Sequence, residues 1–327
     1  MAKNLFMRPF PNMPYGPAPA WCFPVFECAM YLLFIFCLVY AARKGRRDVV
    51  YLFGGLAFGL ILEYVNVIAN MGYSYGRFMV MFGHAPLDIP LCIGVGWGII
   101  MYSARLFTDR LGLTLWACVA LDTLLAVNID LSMDTVAYRM HMWHWHWDSN
   151  INSLTADWFG IPYGNFFGWQ MVVFFYSLFS RLFEKLMAKK PKTSVLVFIA
   201  IAVLALLCSQ ILLFTMEEYV EGFLYKTFGI TSFHRFIGTM VILVAIVAFN
   251  WKKRVIAPDE KTSAVAWWVP GFFHVYFFIC LFLVGFYLEN KWMTIAACAN
   301  LVVGLVLHVG LKPKLYSRVK GSDRLIA

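Results

Sequence analysis

Apolar runs long enough to cross the hydrocarbon core of a bilayer as helices recur from one end of this chain to the other, and nothing else in the sequence constrains the fold as strongly. Each such helix needs roughly 20 predominantly apolar residues. About nine runs qualify, near 21–42, 49–70, 87–104, 112–131, 164–183, 194–215, 233–250, 265–288 and 292–311. The third and seventh are short, so the sequence predicts eight to nine transmembrane helices. The expected fold class is all-α, a polytopic integral membrane helix bundle. A composition that is 61% hydrophobic and only 14% charged, with a mean hydropathy of +0.71, excludes an ordinary soluble domain.

A net charge of +9 does not here point to nucleic acid, because the basic residues occupy alternate connections. "ARKGRR", "ARLFTDR", "RLFEKLMAKKPK", "WKKR" with Lys261, and "KPKLYSRVKGSDR" hold 20 of the 27 Lys and Arg residues. The positive-inside rule then puts the N-terminus outside and the C-terminus in the cytoplasm, with an odd number of spans. Residues 1–327 read as a single transmembrane domain, with no long linker or internal repeat. Residues 1–20 are expected at the outer surface as mature sequence rather than as a signal peptide. Residues 132–163 form the longest outer connection, a candidate lid or re-entrant segment, and 312–327 a basic cytoplasmic tail. The eight cysteines lack a CxxC pair and read as buried structural thiols, with a Cys22–Cys28 bridge as the weaker alternative. Small residues four apart, Gly55 and Gly59, Gly94 and Gly98, Gly164 and Gly168, signal close helix crossings.

An ionisable group inside a span costs several kcal/mol, so each one needs a reason to be there. In "LEYVNVIAN" the spacing i, i+3, i+7 puts Glu63, Asn66 and Asn70 on one helix face, as a cavity wall or an interhelical hydrogen-bond seam. Asp122 lies near the middle of the fourth span, with Asn128, Asp130 and Asp134 at its outer end. Asp88 stands between two prolines at the start of the third span, as a helix N-cap or a site residue. Glu217 and Glu221 end the sixth span and His234 and Arg235 open the next. Glu217 reads either as a headgroup-level charge or as part of a site.

The segment "RMHMWHWHWDSN" at 139–150 alternates His144, His146 and Asp148 with Trp143, Trp145 and Trp147, a period of two that in an extended strand separates a polar face from an aromatic one. The chain has seven histidines, too few and too scattered for the histidine boxes of a membrane di-iron oxygenase. A mononuclear metal site built from His141, His144, His146 and Asp148 is the alternative to an interfacial aromatic lid, and the lid reading needs no metal.

"MDTVAYRMHMWHW" followed by "GIPYGNFFGWQMVVFFYSLFSR" resembles the carotenoid-biosynthesis membrane-protein family that includes the carotenoid 1,2-hydratases. The resemblance rests on an acidic residue after an inward-facing helix, a Trp-containing loop, and a Gly-Ile-Pro-x-x-Asn-x-x-Gly-Trp motif, here Gly160, Ile161, Pro162, Asn165, Gly168 and Trp169. "LEYVNVIANMGYSYG" and "GHAPLDIPL" are similar to the family's Glu-bearing second helix and Pro-flanked loop. Where the family usually has proline after the aspartate, this chain has Thr135.

The resemblance implies a hydro-lyase that adds water to the terminal double bond of an acyclic carotenoid or another lipid-soluble isoprenoid, with no cofactor. A carboxylic acid protonates the less substituted carbon, a tertiary cation forms, and water is directed onto it. Asp134 is the expected acid, with Glu63 second. Asn66, Asn165 and Asp130 are expected to hold the water, and Trp143, Trp145 and Trp169 to shield the cation. The same equipment without delivered water would run a protonation-initiated cyclase or isomerase. A metal-dependent hydroxylase and a proton-coupled transporter or lipid-binding protein are the readings from other classes.

Overall fold

The computed structural model describes residues 18–188, 195–252 and 264–316; the expected outer segment up to residue 17 and the tail from 317 onward lie outside it, as do the side chains of Glu217 and His308. The chain is mostly helical, with ten α-helices among the described residues. They are α1 (Cys22–Lys44), α2 (Arg46–Ile68), α3 (Leu91–Thr108), α4 (Leu115–Arg139), α5 (Tyr163–Ala188), α6 (Val195–Thr215), α7 (Glu221–Phe228), α8 (Ser232–Trp251), α9 (Val265–Leu283) and α10 (Lys291–Tyr316). Each of the nine apolar runs falls on one of these, and α7 is a short addition between two of them. Among the described residues, α1 to α5, α8 and α9 are long and apolar enough to cross a membrane.

The centre of the bundle is α3 and α4, both largely buried, while α8 turns Val241, Ile242 and Phe249 outward. α2 packs most extensively against α3. A Cβ on Gly55 would come within 3.1 Å of the Gly98 Cα, and one on Gly59 within 2.5 Å of the Trp97 side chain, so these glycines set the approach of the two backbones. Gly94 is equally tight, its Cβ position 2.4 Å from Leu60. Gly164 differs: nothing lies nearer than the Ser232 Cβ at 4.0 Å, and it lines a cavity with Gly168.

Two small β elements break the all-α expectation. β1 (Tyr73–Tyr75) pairs antiparallel with β4 (Trp143–Trp145), and β2 (Met81–Phe82) with β3 (Ile89–Pro90). The extended reading of the His/Trp segment therefore holds over residues 143–145. The third helix begins at Leu91, later than its hydropathy suggested, because Pro90 is its extended N-cap residue. Asp88 is thus not the cap.

α4 runs eight residues past its expected end. No helix breaker interrupts 132–139, and the polar side chains that lower its hydropathy, Ser132, Asp134, Thr135 and Arg139, are buried. The cysteines are free thiols, and Cys22 contacts Cys280 of α9 instead of the exposed Cys28.

Polar networks hold the two ends of the bundle. Where α3 and α5 finish and α4 begins, Arg105 makes paired bonds of 2.8 and 2.5 Å to Glu184. Asp122 accepts from Thr108 and Ser177, each at 2.6 Å, and from Arg181 at 2.8 Å. Asp122 therefore belongs to a seam among α3, α4 and α5. At the opposite end the fully buried Arg139 binds Glu289 through two bonds of 2.6 and 2.8 Å. It also donates to the carbonyls of Thr135, Leu154 and Phe159, tying the segment after α4 to the connection between α9 and α10. Glu221 and Arg235 pair across α7 and α8, and Thr231 and His234 form a capping box at the start of α8.

Candidate active site

At the end of the bundle where α2 and α4 finish and α3 and α5 begin lies a cavity of about 190 Å³. Seven of the residues expected at a site line it together: Glu63, Asn66, Asp134, Trp143, Trp145, Asn165 and Trp169. They come from four elements, α2, α4, β4 and α5. Phe26 of α1 and Phe273 of α9 add apolar surface.

One polar group of the cavity is a carboxyl pair. Asp130 and Asp134 are one turn apart on α4, so they share a face. Asn165, in the first turn of α5, donates its amide to both, at 3.1 Å to Asp130 Oδ2 and 2.7 Å to Asp134 Oδ2. Both carboxyls are buried; Asp134 lines the cavity and Asp130 stands behind it. Asp130 Oδ1 is buried and has no hydrogen-bond partner among the described residues.

The second polar group centres on Glu63. Its Oε2 accepts from the hydroxyls of Tyr73 at 2.5 Å and Tyr75 at 2.7 Å, and its Oε1 from the Trp97 indole N–H at 2.8 Å. Asn66 donates to the Tyr73 hydroxyl at 3.3 Å. Sequence reasoning passed over Tyr73, Tyr75 and Trp97. The signals were present in "YSY", a period-two pair of phenols, and in "GVGWG", a large ring among glycines on a helix otherwise shaped for close packing.

The ribbon of β1 and β4 places its two faces differently. Register opposes Tyr73 to Trp145 and Tyr75 to Trp143, with ring centroids 4.9 and 6.3 Å apart, and all four line the cavity. Ser74, His144 and His146 alternate with them: His146 bonds Ser74 at 3.0 Å and His144 stacks on Tyr138. Burial, with the neighbouring histidines, holds the His144 pKa down to about 4. The Trp97 and Trp169 rings lie 4.1 Å apart, tilted by 36°, on the helical side of the cavity. Eight of the 22 residues lining the cavity are aromatic, and aromatic faces stabilise positive charge.

Several expected site residues lie elsewhere. α2 ends at Ile68, so the face carrying Glu63 and Asn66 does not reach Asn70, which is exposed with a left-handed backbone, φ 55°. Asp88 is buried ahead of β3 and does not line the cavity. Glu217 falls in a π-helical turn, Met216–Val220, and its side chain is outside the described residues. His141, His144, His146 and Asp148 are spread over strand and loop; among the described residues no three His, Cys, Asp or Glu side chains converge as a metal-ligand set.

A profile of the carotenoid biosynthesis protein family matches residues 23–232, from α1 to the start of α8. That stretch contains every cavity-lining residue except Phe273. No curated protein and no solved structure matches the chain. With nearly two thirds of its length matched, the chain belongs to the carotenoid biosynthesis protein family and is a membrane protein of carotenoid metabolism.

Proposed function

We propose that this protein is a hydro-lyase that adds water to the terminal trisubstituted double bond of an acyclic carotenoid or related isoprenoid. The observation that carries the reading is the carboxyl pair: Asp134 facing an aromatic-walled cavity, with Asp130 behind it and Asn165 bridging both. Two buried carboxyls beside one neutral amide share a proton more readily than they carry two charges. Asp134 delivers that proton to the less substituted alkene carbon. The carbon–carbon π electrons form the new C–H bond, leaving a tertiary cation beside the rings of Trp143, Trp145, Trp169 and Trp97. A water oxygen bonds to the cation, and the proton it sheds passes to a carboxylate, so the net change is the addition of one water.

Size favours hydration of a chain end over ring closure. Complete small-molecule sites run to about 300–1,000 Å³, and this cavity is about 190 Å³. It accommodates one terminus of a long hydrocarbon, with the remainder lying outside among lipids. A cyclase would have to fold the terminus back on itself in the same space. In this reading nine helices span the bilayer, the N-terminus is outside, and the cavity opens at the non-cytoplasmic end.

Expression in cells that accumulate an acyclic carotenoid tests the proposal. The expected product is the substrate plus one water, lost in Asp134→Asn. Product with one added oxygen and no added hydrogens would replace the hydratase with an oxidase, and an isomeric ring would replace it with a cyclase.

A further inference from the structure

The carboxyl pair accounts for protonation but leaves open what captures the cation. A tertiary carbocation beside any base loses a neighbouring proton unless water is already held against it. Glu63 has the surroundings for that task. Its three neighbours, two phenols and one indole, are all placed as donors, and an indole N–H has no acceptor role. A carboxylate accepts all three, whereas a protonated Glu63 would also need an acceptor for its own O–H.

A carboxylate offers about four acceptor sites, so three donors leave capacity for one water. Tyr73, Tyr75 and Asn66 line the cavity alongside Glu63. Burial, together with the Glu63 charge, pushes the Tyr75 phenol well above its ordinary value and keeps it a neutral donor.

We propose that Tyr73 and Tyr75 hold Glu63 as the base that orients and deprotonates the attacking water, and that this unit decides whether the cation ends as an alcohol or reverts to an alkene. The inference rests on the hydratase reading above and assigns Glu63 to a role distinct from the acid. In the step, the water oxygen forms the C–O bond and one water proton moves to Glu63. That proton then returns through solvent to the Asp130–Asp134 pair, which gave one up.

Purified enzyme in heavy water with an acyclic carotenoid separates the two roles, because protonation without capture writes deuterium into recovered alkene. Wild type is expected to give deuterated alcohol. Tyr73→Phe, Tyr75→Phe and Glu63→Gln are expected to lose hydration by about tenfold or more, the scale of a general base, while the recovered alkene gains deuterium. Tyr→Phe keeps the ring against Trp145 or Trp143, and the double variant Tyr73→Phe/Tyr75→Phe should exceed either single. Asp134→Asn is expected to lose alcohol and exchange together.

If Glu63→Gln loses exchange together with hydration, Glu63 is the acid and the assignment is overturned. If the tyrosine variants hydrate normally, or lose both signals in parallel, it is overturned as well. If wild type produces neither alcohol nor exchange, the hydratase reading fails first and takes this assignment with it.

Discussion

Replacing Asp134 by Asn removes a transferable proton while changing almost nothing in shape. The Asn165 amide, 2.7 Å from Asp134 Oδ2, still finds a carbonyl acceptor, and Asp130 keeps its own bond from Asn165 at 3.1 Å. The substitution also removes one of two buried carboxyls, so unfolding stability should stay within about 1 kcal/mol of wild type. Activity should respond very differently. General acid catalysis contributes roughly 10²–10⁴-fold, so the barrier should rise by about 3–5 kcal/mol at about 1.4 kcal/mol per decade. The assay is initial-rate hydration of an acyclic carotenoid by protein in lipid discs, with thermal unfolding of the same sample as the control. A folded Asp134→Asn variant that keeps more than about a tenth of the rate would refute the assignment.

Other perturbations separate packing from chemistry. Gly59→Ala would drive a Cβ to 2.5 Å from Trp97 and should cost about 1–3 kcal/mol in detergent unfolding, whereas Gly164→Ala, with 4.0 Å of room, should be neutral or slightly stabilising. Arg139→Met removes both bonds to Glu289 and the side-chain bonds to three carbonyls; a loss of about 3–5 kcal/mol is expected, with faster proteolysis between residues 140 and 162. His144 has its pKa held at about 4 in the fold against an ordinary value of 6.5. The unfolded chain therefore takes up the proton first as pH falls. Stability should be constant above about pH 6.5 and decline toward pH 4. Tryptophan-fluorescence unfolding across that range checks this, and His144→Gln should flatten the slope.

The helices were legible because a long apolar run buries its backbone polar groups by forming a helix, and each of the nine runs falls on one among the described residues. Much of the cavity's polar lining was legible for a related reason: Glu63, Asn66, Asp134 and Asn165 lie in or beside apolar helices, where a polar side chain has to face the interior. The ends of elements were harder to read. The last two turns of α4 read as loop because hydropathy cannot distinguish a buried polar residue from a solvated one, and Arg139, the charge that ends this stretch, is fully buried against Glu289. Asn70 looked like a continuation of the Glu63 face because nothing in "NVIANMG" fixes the final helical residue. Tyr73 and Tyr75 escaped notice because a three-residue strand carries too little periodicity, and its partner lies about 70 residues away in sequence. Register is a tertiary property, and it decides here which face of the WHW segment meets the cavity.

The central claim is that this cavity adds water, as water, to a carbon–carbon double bond. Turnover of an acyclic carotenoid by the purified protein in isotopically labelled water, with mass analysis of the product, tests it most directly. The account predicts a product heavier by one labelled water, formed equally well in air and under strict anaerobiosis. A product whose new oxygen is unlabelled and requires dioxygen, or one that gains no oxygen at all, would contradict it.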